Sequence, residues 1–493
     1  MTLAPLILIP VAAGLACLVL RSHRLMAAVG VAAFAATLAL GIRLLPDVIA
    51  RGVVTEYDEF LSADALSTWM VLLVSLVSLG ASLSAGGYFR RELAAGTLTA
   101  GRVREYYVLT PIFAAGMFFV VLVNSLGLMW FAVEATALSS VLLVALYNRP
   151  TSLEAAWKYI ILGSLGLALA LLGTVFVYAA AVGPHASEQL PSFNWSRLLE
   201  MAPHLDHRLM QLAFVLALVG YGTKAGLAPM HTWLPDAHSE APSPTSAMLS
   251  GISLKIALYA LLRFHILATA CLGPAFSCNL LLALGLFSMF LAPPFILVQR
   301  NLKRMLAYSS LEHVGLICAG IGLNTPLTIF GALLHMGYHA AAKPVLFIAA
   351  GNIHQAFHTH EFRLIGRGLV KTLPVTAGLL ALAAAAAVGL PPFGLFYSEL
   401  TVIAGGIEAH RPVLSLLVLA ALVASFCGLL QQFTRILLGE PTRGRLPARD
   451  TRPFDGMPAM ALLLVVLVVF SVWLPAPLLT LLHQAAAIVG GKP

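Results

Sequence analysis

Charge is what this sequence has least of. Only 10% of its 493 residues are Asp, Glu, Lys or Arg, while 60% are hydrophobic. A water-facing surface of that size needs far more charge, so a soluble globular protein is excluded. Windows of about 20 apolar residues recur along the whole length; we count fourteen, and no stretch between them is polar or long enough to form a soluble domain. Cysteine is also sparse. Cys17, Cys271, Cys278, Cys318 and Cys427 are scattered with no C-x-x-C pattern, which argues against an iron–sulfur centre, a zinc knuckle or a disulfide framework. No G-x-G-x-x-G follows a strand pattern and no Walker loop is present, so no flavin, nicotinamide or ATP site is expected. No cofactor-binding or metal-binding residues are assigned from the sequence. The first window carries no charged leader and reads as a span rather than a cleaved signal.

The formal charge of +8 does not point to nucleic acid. Lys158, Lys224, Lys255 and Lys343 fall in or at the ends of spans, and the other 25 basic residues divide unequally between the two sides. With the N-terminus outside, 18 lie in cytoplasmic segments (near 21–24, 90–104, 149, 300–304, 363–371 and 435–452) and 7 outside. That bias predicts both termini on the outer face; a multi-pass protein of a bacterial-type plasma (inner) membrane is the expected setting.

The chain is organised around residues 219–240. The stretch 209–219 reads as the first half of a membrane helix; Gly220, Gly222 and Gly226 then loosen it and Pro229 breaks it. Lys224 sits in the loosened part, where a buried ammonium costs about 2.5–3.5 kcal/mol on insertion scales. Beyond the break, His231, Asp236, His238 and Glu240 are all titratable and are candidate half-channel residues.

Other buried charges follow the same logic. Glu134 lies near the middle of an apolar run and needs a cationic partner to stay ionised. Lys158, after Trp157, fits either an interfacial anchor or a transfer role. Lys255 lies about half a bilayer deep, too far for anchoring. Arg300, Lys303 and Arg304 read as anchors; Glu312 and His313 lie deeper and are further half-channel candidates. His335, His339 and Lys343 recur at i, i+4 and i+8, which places them on one helix face about 6 Å apart along the axis. A row of titratable groups at that spacing suits proton hopping. A second interrupted span, 389–400, carries Glu399 just past Pro391 and Pro392. Glu56, Asp58, Glu59 and Asp64 read as solvated loop carboxylates and a helix cap. Residues 183–207 read as a polar outer loop without a motif. The last window, 456–483, reads as one packing span.

A weak internal repeat is visible: Glu134, Lys158 and Lys224 in the first half answer to Glu312, Lys343 and Glu399 in the second, and each set ends on a Gly/Pro-broken span. Such pairs point to half-channels meeting near the midplane.

Three stretches carry a family resemblance. Gly-Thr-Lys-Ala-Gly-Leu-Ala-Pro-Met-His-Thr-Trp-Leu-Pro-Asp-Ala-His-Ser-Glu-Ala-Pro (222–242) resembles the signature of the antiporter-like subunits of complex I, Mrp antiporters and group 4 hydrogenases. Lys-Arg-Met-Leu-Ala-Tyr-Ser-Ser-Leu-Glu-His-Val-Gly (303–315) and Leu-Pro-Pro-Phe-Gly-Leu-Phe-Tyr-Ser-Glu (390–399) look most like component F of hydrogenase-4. The resemblance implies an all-α polytopic fold of about fourteen transmembrane helices. It divides the chain into N-terminal helices (1–106), two inverted five-helix repeats (107–268 and 277–438), each with a broken helix, and a C-terminal helix (456–493). It implies a Glu134–Lys224 pair, Lys255 as central relay, relay histidines at 335 and 339, and Glu399 at the outer half-channel, where several relatives carry lysine. The long lateral helix of complex I's distal subunit is not expected.

These features imply a proton-translocating membrane subunit of a hydrogenase-4-like or complex I-like oxidoreductase. Its implied partners are other membrane subunits and, through them, an iron–sulfur, nickel-iron or NADH-oxidising arm. An Mrp-type cation/proton antiporter subunit without a redox partner is the competing expectation, and a membrane anchor that transports nothing is the third. The buried titratable row argues against the last.

Overall fold

The computed structural model describes residues 2–182, 193–440 and 456–491. The chain opens with α1 (Leu3–Val19) and α2 (His23–Arg51), joined through a small antiparallel hairpin, β1 (Val54–Glu56) and β2 (Leu61–Ala63), to α3 (Ala65–Ala94). Glu56 accepts from the backbone amides of Thr2, Leu3 and Ala4 at 2.5, 3.2 and 3.3 Å. A carboxylate at a helix N-terminus satisfies orphan N–H groups and complements the dipole. Asp64 caps α3 through Ser67 N, as its position predicts. α3 is apolar all round and buried along nearly its whole length, as a central helix must be.

Next come α4 (Ala100–Leu122), α5 (Leu126–Val144), α6 (Pro150–Val182), the short α7 (Trp195–Met201) and α8 (His207–Ala225). α8 stops at Gly226, which adopts φ +78°; a Cβ there would lie 2.3 Å from Leu234 Cδ1. Both facts demand glycine. After a turn, α9 (Trp233–Glu240) and α10 (Ser243–Met248) lead through one π-helical stretch, Leu249–Ser253, into α11 (Leu254–Leu272).

The second half holds α12 (Pro274–Val298), α13 (Leu302–Leu323), α14 (Pro326–Phe357), the single turns α15 (Phe362–Ile365) and α16 (Leu369–Thr372), and α17 (Pro374–Ala387). α18 (Gly394–Glu408), α19 (Pro412–Leu437), α20 (Met457–Val472) and α21 (Ala476–Val489) complete it. The break between α17 and α18 falls at the expected Gly-Leu-Pro-Pro.

Close backbone contact occurs in both halves. A Cβ on Gly220 of α8 would meet the Gly166 carbonyl of α6 at 2.5 Å, and one on Gly285 of α12 would meet Ala319 N of α13 at 2.6 Å.

Among the described residues, nine helices are long and apolar enough to cross a membrane, or ten if the bent pair α20–α21 counts as one span. The remaining expected spans fall on α1, with 17 residues, on the α17–α18 pair, and on α8 and α14, which are long enough but diluted by polar side chains. The expected single span over 456–483 is corrected: the chain bends by 80° between Val472 and Ala476. Pro475 and Pro477 supply no N–H, and each disfavours helical backbone in the residue before it.

Candidate functional site

Lys255 is the centre of the molecule's polar interior. The π-helical turn before it turns two carbonyls toward its side chain, and Nζ donates to Ser250 O at 2.9 Å and Gly251 O at 2.7 Å. The third partner is His339 Nδ1 on α14, at 2.5 Å. Gly251 brings α14 close, since a Cβ there would lie 2.8 Å from Pro344 Cγ. Three acceptors match the three donors of an ammonium.

From His339 the row continues. Its ring meets that of His313 edge-on, with centroids 4.8 Å apart. His313 Nδ1 and His335 Nε2 share a hydrogen bond of 3.0 Å, and His335 Nδ1 lies 2.9 Å from Ser398 Oγ. The next residue on α18 is Glu399. Lys255, His335, His339 and Lys343 are fully buried, His313 and Glu312 are 1% exposed, and Glu399 is 9% exposed. Lys343, one turn from His339, donates to Ser309 Oγ and to Leu306 O at 3.3 Å. Glu312 Oε2 is 3.4 Å from His313 Nδ1, and its other oxygen has no partner. Four helices (α11, α13, α14 and α18) thus supply one connected set of titratable side chains.

The first half is arranged differently. Lys224 donates to the Tyr159 hydroxyl, with Nζ 4.5 Å from the centroid of that ring. Tyr159 in turn bonds Ser140 Oγ at 2.8 Å and stacks on Trp233, with centroids 4.4 Å apart. Glu134 accepts from Ser164 Oγ at 3.3 Å, and its second carboxylate oxygen is buried without a partner. The direct Glu134–Lys224 ion pair implied by the resemblance is absent among the described residues; α6, carrying Tyr159 and Ser164, supplies the partner of each.

The remaining sequence candidates separate into two groups. His231 and His238 are buried beside the break; His238 Nδ1 is 2.9 Å from Leu234 O, and His231 Nδ1 and His238 Nε2 have no partner. Lys158, Asp236 and Glu240 lie at the surface instead. Lys158 pairs with Glu154 at 2.6 Å and Asp236 at 3.0 Å, Asp236 also holds Arg304 at 2.5 Å, and Glu240 accepts from Thr151 Oγ1 at 2.8 Å. Lys158 therefore lies off the buried row. Lys303, expected as an anchor, is corrected: it is 2% exposed and donates to Ala241 O at 2.6 Å and Ser246 Oγ at 3.2 Å.

Sequence reasoning also missed a buried ion pair. Asp64, read as a helix cap, also accepts both terminal nitrogens of Arg263, at 2.6 and 2.9 Å. Arg263 lies over Trp195 and bonds Tyr259 Oη, which donates to Val121 O. The available signal is spacing: Lys255, Tyr259 and Arg263 recur at i, i+4 and i+8 on α11.

Buried titratable side chains in mutual contact, held on discontinuous helices in an apolar all-helical body, define a multi-pass membrane protein of the ion-translocating type. The chain belongs to the NADH:quinone oxidoreductase/Mrp antiporter transmembrane family, whose profile matches residues 123–425. It is 38% identical over 392 residues to a hydrogenase-4 component F homolog of Methylacidiphilum infernorum, a match covering 80% of this chain and 82% of that one. It is 32% identical over 441 residues to NADH-quinone oxidoreductase subunit N of Desulforudis audaxviator, covering 86% and 83%. Its fold is similar to that of a chain in the Mrp complex from Dietzia sp., with a TM-score of 0.85 and 23% identity, covering 99% of this chain and 97% of that one.

Proposed function

We propose that this chain is the proton-translocating membrane subunit of a hydrogenase-4-like or complex I-like oxidoreductase, and that protons pass along Lys255, His339, His313, His335 and Glu399. The observation that carries the path is the sequence of contacts from Lys255 Nζ to Ser398, beside Glu399, hydrogen-bonded at each step except the edge-on ring contact of His339 with His313. Each imidazole can accept a proton on one nitrogen and release one from the other, and across the His339–His313 contact, where neither Nε2 has a partner, a ring turns to pass it on. Lys224, Tyr159, Ser140 and Glu134 form the loading end: a shift in a neighbouring subunit that changes the field at Glu134 alters how firmly Lys224 holds its proton. Redox chemistry takes place in partner subunits, an iron–sulfur, nickel-iron or NADH-oxidising arm reached through other membrane chains.

In this reading the helices form fourteen spans. Residues 107–268 and 277–438 are two inverted five-helix repeats, residues 1–106 precede them and 456–493 follow. The chain lies in a bacterial inner membrane with both termini outside. The two broken helices, each carrying a titratable residue beside a Gly/Pro interruption, support the repeat. A cation/proton antiporter role without a redox arm is distinguished by copurification: it predicts no iron–sulfur or nickel-iron subunit in the isolated complex.

The test is His339→Gln in the intact complex reconstituted in vesicles. Glutamine fills much of the same space and keeps a hydrogen bond to Lys255 but cannot relay a proton. Proton uptake, normalised to assembled complex, should fall at least about tenfold, within the range of a lost general acid–base. Wild-type uptake would remove His339 from the path.

A further inference from the structure

His313, His335 and Glu399 each offer one ligand atom, and the three atoms lie within 4.8 Å of one another. The residues come from three helices, α13, α14 and α18, so no sequence spacing announces the group. We propose that they form a binding site for a divalent transition metal of the zinc class.

Distance supports this first. His313 Nδ1 and His335 Nε2 are 3.0 Å apart. Two imidazole nitrogens on a tetrahedral ion, each at 2.0–2.1 Å, stand about 3.3 Å apart. The pair needs to open by only a few tenths of an ångström to admit the ion.

The surrounding hydrogen bonds support it next. Ser398 Oγ donates to Leu395 O at 2.8 Å, so it accepts from His335 Nδ1–H at 2.9 Å. That fixes the His335 tautomer, with the proton on Nδ1 and the lone pair of Nε2 aimed at His313, the arrangement by which outer partners orient a metal-ligating histidine. His313 Nδ1 then donates to His335 Nε2, and His313 Nε2 is buried without a partner. Uptake of the ion takes the proton from Nδ1 and leaves His313 protonated at Nε2, so the imidazole stays neutral.

The carboxylate is set by its surroundings. Gly389, at φ +73°, packs against this side chain, and a Cβ there would come within 2.3 Å of Glu399 Oε2. Glu399 is the most open of the three, at 9% exposed. Glu312, with one unpartnered oxygen, adjoins His313. Two nitrogens and a carboxylate suit zinc-class ions better than magnesium or sodium, which prefer all-oxygen shells.

An ion held here ties α13 to α14 and α18 and removes the His313–His335 hydrogen bond. It therefore closes the proposed proton path. That consequence rests on the proposed function; the binding itself does not.

The experiment uses the purified intact complex, freed of affinity-tag histidines and stripped with chelator, titrated with Co2+ and read by the visible absorption of tetrahedral cobalt. We expect one zinc-displaceable cobalt per chain in the wild type, lost in His335→Gln and in Glu399→Gln. It should persist in His360→Gln, which disrupts a separate imidazole pair, the stacked His354–His360, with centroids 4.3 Å apart. An unchanged cobalt signal in both His335→Gln and Glu399→Gln, or its loss in His360→Gln, overturns the site. In parallel, Zn2+ should slow proton uptake by wild-type vesicles. Zinc bound at full stoichiometry with uptake unchanged overturns the blockage and the path through these residues, while the site stands.

Discussion

Lys255 and Lys224 are both buried lysines, yet their surroundings differ in kind. Lys255 has three fixed acceptors, two of them backbone carbonyls of the π-helical turn. A carbonyl cannot take the proton away, so the only route out of that cage is His339. Lys224 has a hydroxyl and an aromatic face instead of backbone carbonyls. That contrast suits a carrier that loads and a relay that hands on. It yields a prediction for Lys224→Arg. A guanidinium keeps the charge but does not release a proton, and its planar fork does not fit a site shaped for one ammonium. Uptake in vesicles should therefore be lost with arginine as fully as with alanine. If arginine restores more than about half of wild-type uptake, Lys224 is a fixed counter-charge. Tyr159→Phe is the companion change. It keeps the stack on Trp233 and removes only the hydroxyl between Lys224 and Ser140. Assembly should be normal and uptake reduced at least about tenfold.

At the scale of elements, the ion pair Asp64–Arg263 joins the start of α3 to the middle of α11, 199 residues apart in sequence. Both side chains are buried, the contact is bidentate, and Tyr259, Ser67 and Trp195 surround the guanidinium. Asp64→Asn leaves an uncompensated buried cation, which costs roughly 3–5 kcal/mol when one partner of such a pair is removed. The melting temperature of the detergent-solubilised complex should fall clearly, and a double change of Asp64 and Arg263 to apolar residues should recover part of the loss. An unchanged melting temperature in Asp64→Asn would mean the pair contributes nothing. This pair also shows where sequence reading stops. The histidine row of α14 is legible because i, i+4, i+8 is a local pattern that any helix turns to one side. The broken helices are legible from Gly and Pro. Burial of Arg263 and Lys303 is not, because it depends on Asp64, Ala241 and Ser246, which lie on other elements. The contact of Glu399 with the histidines has the same character. The 80° bend at Trp473–Pro475 is a different case: both prolines are in plain view, but apolar composition on either side hides them in a hydropathy window.

At the scale of the whole molecule, the loops sort themselves to two ends, and the sorting can be checked against charge. One end gathers the β1–β2 hairpin, the bridge from Leu61 to Val123, the contact of Asn124 with Ser196, and Trp195 on Arg263. The other end gathers the bridge from Asn301 to Glu361, the pairs of Asp236 with Lys158 and Arg304, and the contact of Thr151 with Glu240. The segments holding Arg90, Arg91, Arg102, Arg104, Arg149, Arg300, Arg304, Arg363, Arg367 and Lys371 belong to the second end. Lys303 also lies there but is buried under Ala241, so it adds nothing to a surface bias. Arg263 belongs to the first end but is neutralised by Asp64. Discounting both leaves the asymmetry in place, and basic loops stay on the cytoplasmic side. The second end is therefore expected to face the cytoplasm. A reporter that is active only outside the cytoplasm, inserted at Gly273 between α11 and α12, should be active, and the same reporter at Gly96 between α3 and α4 should be silent. Both glycines have positive φ and open space around them, so an insertion there disturbs no packed side chain. Activity at Gly96 with silence at Gly273 would invert the molecule, put Glu399 on the cytoplasmic side, and reverse the direction in which the Lys255-to-Glu399 row delivers protons.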